Sequence, residues 1–310
     1  MSPIRQLVIS STFQYFHKNI IVHFDLKGAP PKLKYFLDLL EFVAKSGATG
    51  ILIEWEDMFP WKGALKRVRN SDAYTMEEVQ QILEKAKSLR LDVIPLVQTF
   101  GHMEWILKYE RFRKFRETDE YPQIKKFVQP EINTVICIGD KNAVNIVKEA
   151  IRQVVLVHRS YGIKYFHIGT DEAFEYGTCK ASIEQAALLG SRENLAIKHL
   201  ATVAAYTKKI TRGAKILAWH DMLKNFNLYD VKNAGLGSLV QPVIWDYSET
   251  LATVDGRYYI HAASLSYFSL RSFKDFLIDN LARTFGTIWT SSAFKGADFP
   301  TAKYNRITHY

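Results

Sequence analysis

Two kinds of hydrophobic pattern alternate along the chain. Short, nearly continuous apolar runs rich in β-branched residues recur at IIVHFDL (20–26), GILIEW (50–55), DVIPLVQTF (92–100), KYFHIGT (164–170), KILAWHD (215–221), LVQPVIWDY (239–247) and GTIWTSS (286–292). Between most of them lie stretches whose apolar residues return every three or four positions. Examples are 33–47, 75–89, 142–162 and 193–210. The first kind predicts strands buried on both faces, and the second predicts amphipathic helices. Gly47 and Gly162 mark helix ends, and Thr75 with Glu78 three residues on forms a capping-box signature.

Strands alternating with helices predict parallel βαβ units. A dinucleotide-binding sheet is disfavoured, because DLKGAPP follows the first strand where a glycine-rich phosphate loop would stand. Polar residues instead sit at the C-terminal ends of many strands: Asp25 and Lys27, Glu54 and Glu56, His102, Asp171 and Glu172, Asp221, and Asp246 with Tyr247. Chemistry dispersed over many strand ends is how a (β/α)8 TIM barrel builds its site. The expected fold is therefore of that α/β type, as one domain over 1–310. Seven strand–helix units can be counted, which makes the expected barrel one truncated after its seventh strand.

The stretch FHIGTDEAFEYG (166–177) carries the clearest candidate chemistry. Read as a strand with a period of two, it places His167, Gly169 and Asp171 on the barrel-interior face and Phe166, Ile168 and Thr170 outside. Glu172 follows at the strand end, and repulsion from Asp171 would favour one of the pair holding a proton. The competing reading makes Asp171 the cap of the next helix and Glu172 a solvated acid. Acids, tryptophans and a histidine around one barrel mouth suit glycoside hydrolysis, which needs a proton donor, a stabiliser of positive charge and apolar faces for sugar rings.

Composition adds limits. The 310 residues are 47% hydrophobic and 24% charged, as in a globular chain, and aromatics reach 13%. No run is long enough to span a bilayer, no secretory leader pattern opens the chain, and no Asn-x-Ser/Thr sequon occurs. Two cysteines, Cys137 and Cys179, are too few for a disulfide framework. Together these predict a cytoplasmic or nuclear setting. The net charge of +9 is concentrated in WKGALKRVR (61–69) and in 108–126. Interspersed acids disfavour a nucleic-acid surface, leaving a solvated basic face or an anionic partner.

Seven ordered blocks, VHFDLKGAPPK (22–32), LIEWEDMFPW (52–61), QTFGHMEW (98–105), HIGTDE (167–172), WHDML (219–223), PVIWDY (242–247) and SSAFKGA (291–297), resemble the family-twenty glycoside hydrolases in their nucleocytoplasmic branch. The resemblance covers about residues 20 to 298. It implies an exo-acting β-N-acetylhexosaminidase that removes terminal N-acetylgalactosamine or N-acetylglucosamine with retention, the substrate's 2-acetamido oxygen serving as nucleophile. It implies Glu172 as general acid and then base, Asp171 as the acceptor that orients the acetamide, and no metal or organic cofactor. His102 would bond the sugar or orient a carboxylate, or be structural. Trp219, Trp245 and Trp289 are either acetamide-pocket walls or core. Tyr247 would donate to the acetamide oxygen. Asp25, Lys27, Glu54, Glu56 and Asp221 are candidates for sugar hydroxyls, and the first four equally for a rim of salt bridges.

The expected partner is a glycan or glycoconjugate with a terminal N-acetylhexosamine, without nucleic acid or membrane segment, and a homodimer is an admissible assembly. The family usually has an acid where His220 stands and continues into an eighth strand, so an inactive, truncated sugar-binding barrel is the alternative function. A metal-dependent hydrolase built on His102, His167, Asp171, His220 and Asp221 is a weaker one, because the first strand lacks a His-x-His pair.

Overall fold

The computed structural model describes residues 18–119, 134–246 and 280–292. Within them seven parallel strands lie side by side in chain order. These are β1 (Ile21–Asp25), β2 (Gly50–Glu54), β3 (Asp92–Leu96), β4 (Tyr165–His167), β5 (Lys215–Trp219), β6 (Val240–Asp246) and β7 (Trp289–Ser292). The connecting helices include α1 (Leu33–Lys45), α2 (Met76–Ser88), α3 (Lys141–His158), α4 (Lys180–Leu189) and α5 (Arg192–Ile210). All seven expected strands and the four expected helices are present, and α4 is an addition. The Thr75–Glu78 capping box closes in both directions at the start of α2.

Period-two alternation sorts each strand between two cores. Ile51 and Ile53 of β2, and Ile216 and Ala218 of β5, pack outward against the helices. Leu52, Ile94, Leu96, Leu217, Trp219 and Val243 face inward and form a second, smaller cluster. Fully burying a side chain such as Phe36 or Phe166 contributes about 1.5–3 kcal/mol each. The sheet is strongly curled. His23 on β1 lies 5.9 Å from the Trp219 ring on β5, and Tyr165 on β4 meets Trp289 on β7 at 5.1 Å. Flat strands spaced about 4.8 Å apart would hold β1 and β5 far beyond contact. The fold is that of a (β/α) barrel type carrying seven strands among the described residues.

One strand differs from expectation, and the difference matters for the site. The alternation of β4 ends at His167. Gly169 (φ 67°), Thr170 (φ 84°) and Glu172 (φ 47°) then adopt left-handed backbone, so Asp171 and Glu172 sit in a tight loop, not on a strand face. Phe166 and His167 do take the outer and inner sides as expected. The helix after this loop begins at Lys180 with Cys179 as its N-cap, so Asp171 caps nothing.

The far end of that loop is tied down from the β3 side. Cys137 and Cys179 form a disulfide between residues 42 positions apart. The pair removes the cysteine count as an argument for a reducing compartment. Beside it Glu117, 3% exposed, accepts hydrogen bonds from the backbone N–H groups of Ile138, Thr178 and Cys179 and from Ser182 Oγ. Replacing this carboxylate would strand buried donors. Glu117→Ala is therefore expected to lower unfolding free energy by about 3 kcal/mol or more, and Glu117→Gln, which keeps one acceptor oxygen, by less. Urea unfolding of both variants checks the order; equal, small losses would contradict it.

Candidate active site

Parallel strands bring their C-terminal ends to one side, so the polar residues expected from the sequence gather at a single mouth. Asp25 and Lys27 follow β1, Glu54 and Glu56 end β2, His102 follows β3, Asp171 and Glu172 follow β4, and Trp219 with Asp221 ends β5. Trp245 comes from β6. Tyr247 lies outside the described residues.

The centre of the mouth is His102. Its Nε2 stands 3.3 Å from Asp171 Oδ2 and 3.2 Å from Glu172 Oε2, and its Nδ1 is 3.8 Å from Glu104 Oε1. Burial opposes a charge on the ring, but the Asp171 carboxylate, with support from Glu104 and Glu172, raises its pKa well above the ordinary histidine value. The imidazolium thus lies between the paired acids. The repulsion expected from their adjacency is relieved by a cation from a neighbouring loop.

A second cation, Lys27 Nζ, bridges Glu104 Oε1 at 3.0 Å and Glu56 Oε1 at 3.4 Å. Burial would raise Glu104, yet His102 and Lys27 hold it down to about 2. Glu56 goes the other way: burial and the charge of Glu54 push it well above the usual carboxylate range, against the pull of Lys27. Glu54 is held down to about 2 despite burial, by His23 at 3.3 Å, Lys27 and a hydrogen bond from Gln98 Nε2. Asp25 accepts from the Lys27 backbone N–H at 3.1 Å. Neighbouring acids are thereby divided between ionised and protonated forms.

Asp171 Oδ1, Glu56 Oε2 and Glu104 Oε2 are, together with Glu175 Oε1, carboxylate oxygens that remain shielded without a hydrogen-bond donor among the described residues. An ionised or polar oxygen in that condition is costly unless a ligand supplies the donor. Backbone strain collects at the same place. Glu56 (φ 42°), His102 (φ 53°), Thr170 and Glu172 are non-glycine residues with left-handed backbone. Each such residue costs on the order of 1–3 kcal/mol and persists where surrounding structure fixes it.

Asp221 is turned into the protein. Its Oδ2 accepts from the Glu172 backbone N–H at 2.7 Å and its Oδ1 from Trp245 Nε1 at 3.3 Å. Burial, and next the Asp171 charge, raise its pKa to about 7. Trp219 stacks obliquely on His167 at 4.5 Å in the inner core, and Trp245 is half-buried at the mouth. Trp289 donates to Gln241 Oε1 at 2.9 Å. His220 lies edge-on to Trp245.

Sequence reasoning missed residues whose roles are visible only in three dimensions. Glu104 has a local signal, its place two positions after His102 in QTFGHMEW. Gln98 joins Glu54 to the loop after β4, its Oε1 accepting from the Thr170 backbone N–H at 3.3 Å. Gly101 is needed for close approach: a Cβ there would stand 2.2 Å from the Asp171 carbonyl oxygen. Of the weaker metal reading little is assembled. Among the described residues the group with ligand atoms within 4.8 Å of one another is Glu117, Cys137 and Cys179, and its sulfurs are bonded to each other.

Comparison with known proteins gives concordant results. The profile for glycosyl hydrolase family 20, catalytic domain, matches residues 46–271. Hexosaminidase D of Bos taurus is 33% identical over 294 residues, covering 94% of this chain and 75% of that protein. Hexosaminidase D of Homo sapiens is 34% identical over 294 residues, covering 94% of this chain and 54% of that protein. In three dimensions the chain is similar to a β-N-acetylhexosaminidase from Bacteroides fragilis, with TM-score 0.62 at 16% identity over 93% of this chain and 53% of that one. A family 20 β-N-acetylhexosaminidase from Streptomyces coelicolor A3(2) gives TM-score 0.54 at 14% identity, covering 88% of this chain and 47% of the other. The chain thus spans three-quarters of its bovine relative and about half of the human one and of these solved structures.

The raised Asp221 carboxyl sets a pH signature. It titrates near 7 when folded and near the ordinary carboxylate value when unfolded, so the folded chain binds the extra proton between about pH 4 and 7. Its contribution is whole at the acid end and is lost as pH rises to 7. The stability of wild type relative to Asp221→Asn should therefore fall over that window. Urea midpoints of both proteins at pH 4 to 8 measure this; a flat or rising difference would contradict the assignment.

Proposed function

The chain belongs to glycosyl hydrolase family 20, by kinship a hexosaminidase D-like β-N-acetylhexosaminidase, and we propose that it removes terminal non-reducing N-acetylgalactosamine or N-acetylglucosamine by a retaining, substrate-assisted mechanism. The observation that carries the proposal is the condition of Asp171. One of its oxygens pairs with His102, while the other, Oδ1, is shielded and lacks a donor among the described residues. The N–H of a 2-acetamido group supplies a donor of the right kind.

In this mechanism Asp171 accepts the acetamide N–H and stabilises the positive charge that develops on nitrogen as the acetamide oxygen attacks the anomeric carbon. That attack breaks the glycosidic bond and forms an oxazoline-like intermediate. Glu172, the more exposed of the pair, protonates the leaving oxygen and then takes a proton from the water that opens the ring. His102, placed between the two carboxylates, keeps the second negative charge tolerable once Glu172 has given up its proton. Asp221 fixes the Glu172 backbone, and Lys27, Glu56, Glu104 and Asp25 offer donors and acceptors to ring hydroxyls. Trp219 and Trp245 wall the sugar, and Tyr247 donates to the acetamide oxygen. A glycan or glycoconjugate is the substrate, and no metal takes part.

Chromogenic β-N-acetylgalactosaminide and β-N-acetylglucosaminide test the reading directly. Glu172→Gln should lower kcat by about 10²–10⁴-fold with a poor leaving group and far less with an activated one. Asp171→Asn should be slow with both. A substrate whose 2-substituent cannot participate should be inert, and its ready cleavage would defeat the assisted mechanism. If a cooperatively melting chain cleaves neither N-acetylhexosaminide, the glycosidase proposal fails and a sugar-binding barrel takes its place.

A further inference from the structure

The basic run that follows β2 is not used by the chemistry above. In three dimensions Lys66, Arg67 and Arg69, with Asn70, Ser71 and Tyr109, line a cleft of about 540 Å³. That volume lies in the range of small-molecule sites. The three cations are exposed, and no acid pairs with them among the described residues, although Asp72 stands in the same turn. Nearby cations are treated differently: Lys27 and Lys108 each find a carboxylate. An unneutralised trio on one concave wall is suited to holding an anion.

The cleft is joined to the catalytic mouth through one residue. Asp57, 2% exposed and next in sequence to Glu56, accepts from Asn70 Nδ2 at 3.3 Å and from Lys108 Nζ at 3.0 Å on one oxygen. Its other oxygen accepts from the Gly28 backbone N–H at 3.4 Å, one position past Lys27. Its carbonyl holds the Asn70 backbone N–H at 2.9 Å. Tyr109 follows Lys108 directly and closes the cleft from the β3 side. The wall is therefore built from the loops after β2 and β3, the loops that also present Glu56, His102 and Glu104.

Charge is segregated between these neighbours. In the mouth the cations Lys27 and His102 are already paired with carboxylates and leave no positive charge for an anionic substrate, whereas the cations of the adjoining cleft have no acid partner among the described residues. A substrate matched to both has a neutral terminal sugar and negative charge on the unit behind it. We propose that this cleft is an aglycone subsite for an acidic saccharide, in which the carboxylate of a uronic acid or a sulfate ester is held by Arg67, Arg69 and Lys66. Guanidinium groups bind either oxyanion in a bidentate fork, and Asn70 and Tyr109 add hydrogen bonds and a ring face.

The inference rests on the glycosidase reading for its catalytic half, and the test separates the two. First, binding of a uronate-containing disaccharide, a sulfated one and a neutral one of like size is measured by tryptophan fluorescence. Wild type and the surface variant Lys66→Ala/Arg67→Ala/Arg69→Ala are compared, with melting to verify the fold of each. At least one acidic ligand should bind about tenfold more tightly than the neutral one at low salt, and the advantage should vanish in the variant and in 0.5 M salt. Whichever acidic ligand shows the advantage identifies carboxylate or sulfate as the source of the charge. Equal binding of all three, or an advantage that survives the variant, overturns the proposal.

Second, kcat/KM is compared for β-N-acetylhexosaminyl conjugates of the same acidic and neutral units. The acidic conjugate should be favoured about tenfold, chiefly through KM, in wild type alone. A neutral chromogenic N-acetylhexosaminide should be cleaved equally by both proteins. Anion binding without preferential cleavage by an enzyme that does turn over the chromogenic substrate refutes the aglycone role. Failure of that chromogenic substrate refutes the glycosidase reading instead, and the binding comparison still decides the anionic site.

Discussion

His102 stands where repulsion between carboxylates is greatest, with Asp171 at 3.3 Å on one side and Glu172 at 3.2 Å on the other. Removing it would leave adjacent acids facing each other in a partly shielded mouth, with Glu104 close by. Lys27 performs the same service for Glu104 and Glu56. The arrangement holds because every acid has a different balance of burial, neighbouring charge and hydrogen bonding. Glu54 and Glu104 are kept ionised, Glu56 and Asp221 are pushed toward their neutral forms, and the site can hold many acids without carrying a full charge on each.

Positioning His102 this way requires unusual backbone. Its own φ of 53° turns the ring back toward the mouth, and the loop opposite bends through Gly169, Thr170 and Glu172 to meet it. The bends are held by long-range bonds. Gln98 and Asp221 accept the backbone N–H groups of Thr170 and Glu172, Thr99 donates to the Ile168 carbonyl, and Glu117 gathers the far end of the loop. Strain concentrated in a few residues is thus maintained by ordinary hydrogen bonds that come from other strands.

Much of this was legible in the sequence because it is encoded locally. β-Branched runs, amphipathic stretches and the Thr75 cap each specify an element within a dozen residues, and parallel pairing then forces Asp25, Glu56, His102, Asp171 and Asp221 to one end. What could not be read depends on contacts distant along the chain. The strand alternation extrapolated past His167 because nothing local announces that Thr170, a β-branched residue, will take a φ of 84°. Glu117 looks like one more acid in a basic segment, yet its carboxylate is occupied from 21 to 65 residues away. The pairing of Cys137 with Cys179 likewise depends on folding, not on spacing. The basic run at 61–69 read as a solvated face until the fold set it around a cleft.

Gly101 gives the loops after β3 and β4 a shared backbone contact, since even a methyl group there would collide with the Asp171 carbonyl. The loop after β3 and the loop after β4 are consequently packed backbone to backbone, and a change of length or shape in either is transmitted to Asp171 and Glu172. The turn at 63–73 is anchored in the core by Leu65 and Val68 and bonded to Asp57 beside the mouth, while its Lys66, Arg67 and Arg69 are exposed. Variation is therefore free to accumulate at those exposed positions, while the loops that carry His102, Asp171 and Glu172 are constrained to change as a whole or not at all.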